Sequence, residues 1–104
     1  MPPRIAIDPH ALEAFCRGWS IQELELFGSV LRDDFRPDSD VDVLVSFADD
    51  RKPTLPMLSN IQQELESLLG RRVDLVERQS IERSENYILR DHILRHREPL
   101  YVAR

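Results

Sequence analysis

Two aspartates separated by one residue, Asp40 and Asp42, stand at the start of the mainly apolar segment DVDVLVSF, residues 40–47. Side chains alternate between the faces of a β-strand, so both carboxylates are predicted on one face and the three valines on the other, in a core. Two carboxylates at this separation repel each other unless a positive group lies between them, and a divalent metal ion is the usual solution. The pattern therefore predicts a half-buried strand with a metal site on one face. A solvated strand edge is the alternative.

A glycine–serine pair, Gly28 and Ser29, follows the segment Leu24–Phe27, in which Leu24, Leu26 and Phe27 are apolar. This arrangement is typical of a tight turn from a strand into a helix. Free backbone N–H groups at the start of a helix can hold a phosphate. A phosphate site and a metal site on one short segment indicate phosphoryl or nucleotidyl transfer, whereas an ordinary turn would carry no function.

The segment GSVLRDDFRPDSDVDVLV resembles the Gly-Ser…Asp-x-Asp signature of the nucleotidyltransferase superfamily, which has the fold of the DNA polymerase beta catalytic core. The pattern GS-x2-R…SD-x-D-x-L-V is similar to the minimal nucleotidyltransferase (MNT) branch. The resemblance covers roughly Leu24–Val76, with a looser match in the tail. It implies an α+β fold, a small mixed β-sheet flanked by helices, in a single minimal nucleotidyltransferase domain over residues 1–104. Many relatives carry glycine where Asp33 stands here, which adds negative charge near the phosphate site.

The resemblance implies catalytic and metal-binding roles for Asp40, Asp42 and Asp74. Mg²⁺ prefers oxygen ligands, and nucleotidyl transfer commonly uses a pair of such ions, so a two-metal site is expected. Asp74 lies in the apolar segment VDLV, where an aspartate is unfavourable by propensity. In the superfamily this position commonly takes the proton from the acceptor hydroxyl. The alternatives are Glu77 in that role, or an exposed Asp74 paired with a neighbouring arginine.

The resemblance also implies a nucleotide site. Gly28 and Ser29 would hold the triphosphate of ATP, because a glycine lets the backbone approach closely. Arg32 lies one predicted helical turn beyond and could reach the phosphates as a guanidinium fork. A surface arginine paired with Asp33 or Asp34 is the alternative.

Composition limits the class of protein. The chain has 104 residues and a net charge of −5, with 41% hydrophobic and 32% charged residues, which predicts one soluble domain. No segment approaches the ~20 apolar residues of a membrane span, and no signal peptide is evident, so a cytoplasmic protein is expected. The acidic charge argues against a direct nucleic-acid substrate. The single cysteine, Cys16, excludes an internal disulfide and lies in an apolar helical pattern, as expected of a buried, inert thiol.

The family resemblance implies an antitoxin that transfers AMP from ATP to a hydroxyl of a cognate HEPN-domain ribonuclease toxin, and a tyrosine is the expected acceptor. One alternative is a non-catalytic antitoxin that masks the toxin, with Leu100, Tyr101 and Val102 as interface residues. Another is nucleotide transfer to a small molecule of the aminoglycoside type, for which the chain is short.

The remaining predictions concern local structure. His92 and His96, four apart on a predicted helix, are expected to be surface residues rather than a zinc pair. The arginines at 90, 95 and 97 are expected to form a solvated helix face, or alternatively a contact with an acidic partner or RNA. The predicted elements are a helix from Asp8–Pro9 to Gly18, strand 21–27, helix 29–34, loop 36–39, strand 41–47, loop 48–56, a helix ending at Gly70, strand 72–76 and helix 84–96.

Overall fold

The computed structural model describes residues 7–28, 40–48 and 53–103. The elements in these ranges are α1 (Pro9–Gly18), β1 (Ile21–Phe27), β2 (Val41–Phe47), α2 (Leu55–Leu69), β3 (Val73–Glu77), α3 (Arg78–Glu82), α4 (Tyr87–Arg95) and β4 (Arg97–Val102). The four strands form one sheet in the order β3-β2-β1-β4. Strand β1 runs antiparallel to β2 and β4, whereas β2 and β3 are parallel. The predicted mixed α+β fold is confirmed.

Local sequence signals fix the starts of the two longer helices and the end of α2. The Asp8 side chain accepts a hydrogen bond from the His10 N–H at 3.0 Å and caps α1, with proline at the first position. Thr54 caps α2 in the same way through the Met57 N–H, at 3.2 Å. Gly70 is the C-cap residue of α2, and its φ of 66° is the left-handed conformation that glycine adopts without strain.

One face of the sheet forms the core. The three valines of β2 are completely buried and pack with Ile61 and Leu65 of α2, which are also completely buried. The alternation of β2 predicted from the sequence is therefore present. Cys16 lies in the same core as a free thiol, and its burial raises the pKa of the thiol to about 12.

Several predicted elements differ from the structure. The last helix ends at Arg95, and residues 97–102 form β4, so the prediction that Arg97 lies on a solvated helix face is wrong. The short helix α3 follows β3 directly and was not predicted. Leu100 is buried in the core and Tyr101 is half-buried, so Val102 is the exposed member of the predicted interface segment.

Smaller differences concern element ends. Helix α2 begins at Leu55, inside the predicted loop, because Thr54 provides its cap. The predicted helix 29–34 and loop 36–39 lie outside the described residues. Among those described, no helix combines the length and the apolar character needed to cross a membrane.

Candidate active site

The second face of the sheet carries a row of four side chains at one end of the strands. Asp42 of β2 is the register partner of Asp74 in β3 and of Phe27 in β1, and Phe27 is in turn the partner of Arg97 in β4. Register partners on neighbouring strands share a face and lie about 5 Å apart. We call Asp74, Asp42, Phe27 and Arg97 the carboxylate row.

The aspartate pair of the sequence lies at the start of β2. Asp40 precedes the strand and is exposed, and Asp42 is half-buried, whereas Val41 between them is completely buried. The Val41 N–H donates to the carbonyl of Arg72 at 2.9 Å, which joins the beginning of β2 to the segment leading into β3. This join sets the parallel register that places Asp74 beside Asp42.

Asp74 is the third of the predicted site carboxylates, and it is exposed. Its neighbour Val73 is buried and donates its backbone N–H to Glu66 Oε2 at 2.9 Å, which fastens β3 to α2. Within the described ranges no residue forms a salt bridge with Asp74, so the alternative in which it pairs with Arg71 or Arg72 is not realised there. Glu77 is the register partner of the inward-facing Val45 and so lies out of the carboxylate row.

Gly28 packs directly against Asp42. Its φ is 75°, a conformation that side chains other than glycine rarely adopt, and a Cβ built there would overlap Asp42 Oδ2 and lie 3.1 Å from its Cγ. Glycine is therefore required both for the backbone turn and for the position of the Asp42 carboxylate. The other predicted phosphate-binding residues, Ser29 and Arg32, lie outside the described residues.

The donor set suits a hard divalent cation. Asp42 and Asp74 offer carboxylate oxygens from adjacent strands on one face, and Mg²⁺ usually binds through one or two carboxylates together with substrate phosphates. Across residues 7–28, 40–48 and 53–103, no group of three or more His, Cys, Asp and Glu side chains is placed to hold a metal ion. The residues thus fit an ion shared with a phosphate ligand, and the assignment of Asp40, Asp42 and Asp74 as joint metal ligands stays a prediction.

His92 lies in the last turn of α4, and His96 is the C-cap residue that follows it. The rings of His92 and His96 lie 4.7 Å apart between centroids, and both residues are exposed. This agrees with the expectation that they are surface residues.

A buried carboxylate lies one row below the site, and sequence reasoning missed it. Glu25 of β1 is only 6% exposed and accepts a hydrogen bond from Arg97 Nη1 at 3.0 Å. Arg78, the first residue of α3, lies 3.3 Å from the same Glu25 oxygen and donates to Glu23 at 2.7 Å. The available signal was the alternation of glutamate and leucine in the segment ELEL, which places two acids on the face opposite the core.

Comparison with known proteins identifies the family. Residues 10–97 match the nucleotidyltransferase domain family, and the chain belongs to it. The protein adenylyltransferase MntA of Thermococcus cleftensis is 41% identical over 63 residues, which are 61% of this chain and 62% of that protein. The chain therefore spans less than two thirds of the length of this relative.

Solved structures show the same fold. A structure described provisionally as a minimal nucleotidyltransferase is 36% identical with a TM-score of 0.65, covering 88% of this chain and 87% of that one. A Shewanella oneidensis complex of a tri-AMPylated HEPN toxin with its MNT antitoxin contains a chain that is 24% identical, with a TM-score of 0.59, covering 90% of this chain and 69% of that one. At that identity the second likeness concerns the fold alone.

Proposed function

We propose that this protein is a Mg²⁺-dependent protein adenylyltransferase that transfers AMP from ATP to a tyrosine hydroxyl of a HEPN ribonuclease toxin and so acts as its antitoxin. The observation that carries the proposal is the pairing of Asp42 with Asp74 on one face, with the Gly28 backbone against Asp42. The adenylyltransferase name of the Thermococcus relative and the toxin complex of the Shewanella protein support the acceptor class.

The side chains of the site have separate tasks. Gly28 lets the backbone approach the phosphates, and Asp40 and Asp42 would hold Mg²⁺ against them, with Asp74 as the further ligand of a two-metal site. Bound Mg²⁺ would neutralise phosphate charge and activate the attacking oxygen. Ser29 and Arg32 complete the proposed triphosphate site.

The proposed reaction moves one proton and exchanges one P–O bond for another. The acceptor hydroxyl oxygen forms a bond to the α-phosphorus of ATP, the bond from that phosphorus to the bridging oxygen breaks, and pyrophosphate leaves. Asp74 takes the hydroxyl proton, and its exposure leaves it accessible to a side chain of another protein.

The buried free thiol of Cys16 fits a reducing compartment, and we place the activity in the cytoplasm.

A competing mechanism is neutralisation by binding alone. Tyr87 and Ile88, at the start of α4, are 61% and 70% exposed, and exposed apolar side chains of this size are typical interface residues. The discriminating experiment measures toxin RNase activity and complex formation with the wild type and with Asp42→Asn. Loss of neutralisation in an intact complex supports catalysis, and retained neutralisation supports masking.

The control for this experiment is Glu98→Gln. Glu98 is exposed on β4 and is the register partner of the inward-facing Leu26, so its substitution removes one negative charge away from the carboxylate row. We expect this variant to neutralise the toxin as the wild type does. Transfer to a small molecule is tested in the same preparation by supplying an aminoglycoside in place of the toxin.

A further inference from the structure

We infer that Arg97 binds the phosphate chain of the nucleotide and that Glu25 is the residue that positions it; this rests on the proposed function. Arg97 is the cation of the carboxylate row, two strands from Asp42 on the same face. By the spacing of neighbouring strands this is about 10 Å. The row otherwise presents the negative charges of Asp42 and Asp74, which a polyanionic substrate must approach.

The hydrogen bonding of Arg97 leaves most of its guanidinium available. Its Nη1 donates to Glu25 at 3.0 Å, and Glu25 is the one salt-bridge partner of Arg97 in the part of the chain that the structure describes. A guanidinium has five N–H donors in a fixed planar fork, a geometry that matches phosphate oxygens. One bond to Glu25 therefore fixes the side chain without using its capacity to bind an anion.

The contacts of Arg78 separate its role from that of Arg97. Arg78 lies within 4 Å of three carboxylates, those of Glu23, Glu25 and Glu82, at 2.7, 3.3 and 3.8 Å. Its charge is neutralised without Arg97. Arg78 is therefore engaged by carboxylates of the protein itself, whereas Arg97 contacts one carboxylate, which favours Arg97 over Arg78 as the residue that binds an anion.

The stability gained from such a pair is a weak explanation for its presence. The Glu25 side chain is 8% exposed and that of Arg97 27%. Taking charges out of water offsets much of their mutual attraction, so a buried pair is often no more stabilising than apolar residues of the same size. A guanidinium held in place on the same face as Asp42 and Asp74 would, in contrast, offset the negative charge of a triphosphate.

The test compares nucleotide binding and turnover in Arg97→Gln and Arg95→Gln. Arg95 is exposed at the end of α4, two residues away, so both variants lose one positive charge from the same region. We expect Arg97→Gln to raise the Kd for a non-hydrolysable Mg·ATP analogue and the KM for ATP about tenfold, with a smaller change in kcat. Arg95→Gln should leave both within twofold, and Arg97→Lys should lie between the two because it keeps the charge without the fork.

The role of Glu25 is tested by the same comparison of the changes in KM and in kcat. Glu25→Gln should raise KM more than it lowers kcat, a result that a loss of folded protein alone would not give. If single variants unfold, the double variant Glu25→Gln with Arg97→Gln leaves no unpaired charge between these positions and should fold while keeping the raised Kd. An unchanged Kd in the folded Arg97 variants would overturn the inference even if the wild type transfers AMP. Absence of AMP transfer by the wild type would instead count against the proposed function.

Discussion

The close packing of Gly28 on Asp42 predicts that Gly28→Ala inactivates the protein by displacing a carboxylate. The added Cβ would overlap Asp42 Oδ2 and lie 3.1 Å from Cγ and 3.4 Å from Cβ of the same side chain. The Asp42 side chain is short and begins on a paired strand, so its carboxylate can yield only by turning away from its position in the carboxylate row. Misplacement of a reacting group by about 1 Å can lower a rate about a hundredfold.

Gly70→Ala is the matched control. Gly70 has a φ of 66°, close to the 75° of Gly28, but a Cβ there meets no atom within 4 Å. Both variants should lose about 1–2 kcal/mol of unfolding free energy from the left-handed conformation. The difference in activity between them then separates the effect of the Cβ at the site, on Asp42 and on the approach of the phosphates, from the cost of the left-handed conformation.

The assay is the initial rate of pyrophosphate release with Mg²⁺, ATP and the cognate acceptor, together with urea unfolding of each variant. We expect Gly28→Ala to lose at least about a hundredfold in kcat/KM, equivalent to about 2.7 kcal/mol of transition-state stabilisation. Gly70→Ala should stay within about threefold of the wild type. Equal activities in the two folded variants would refute the account of Gly28 as the residue that sets the Asp42 carboxylate.

Three further predictions concern stability. Leu65→Ala, at a completely buried position of α2, should lower the unfolding free energy by about 2–5 kcal/mol in urea, whereas Leu55→Ala, 82% exposed, should change it by about 0.5 kcal/mol or less. Thr54→Ala removes the cap of α2 and should cost about 1 kcal/mol in the same measurement, and an unchanged midpoint would contradict that role. Burial raises the pKa of Cys16 in the folded protein to about 12 from 9.0, so the neutral thiol contributes fully to the unfolding free energy below pH 9. Above pH 9 the unfolding free energy should fall by about 1.4 kcal/mol per pH unit. Cys16→Ala should lack this slope when unfolding is measured between about pH 8 and 11.

The sequence predicted those parts of the fold that local patterns determine. The alternation along β2 required the valines to face a core and the aspartates to face away, and Asp8 at the start of α1 and Gly70 after α2 have the capping roles expected of them. The position of Asp74 beside Asp42 could not be derived from local sequence patterns. It depends on the parallel register of β2 and β3, which no local pattern encodes.

The elements that sequence reasoning missed have physical explanations. Strand β4 contains Pro99 and begins with two charged residues, a composition that argues against a strand. β4 lies at the edge of the sheet, and an edge strand tolerates a proline because one of its sides makes no hydrogen bonds to another strand. Helix α3 has five residues, too few to show a helical period. The Glu25 network joins residues 72 positions apart in the chain, so only the folded sheet brings it together.

The most direct test of the central claim is intact mass spectrometry of the cognate HEPN protein after incubation with this protein, Mg²⁺ and ATP. We predict a gain of whole AMP units on the partner that is absent with Asp42→Asn and retained with the control Glu98→Gln. A partner of unchanged mass, bound in a stable complex with its RNase activity suppressed, would contradict catalysis and leave neutralisation by binding.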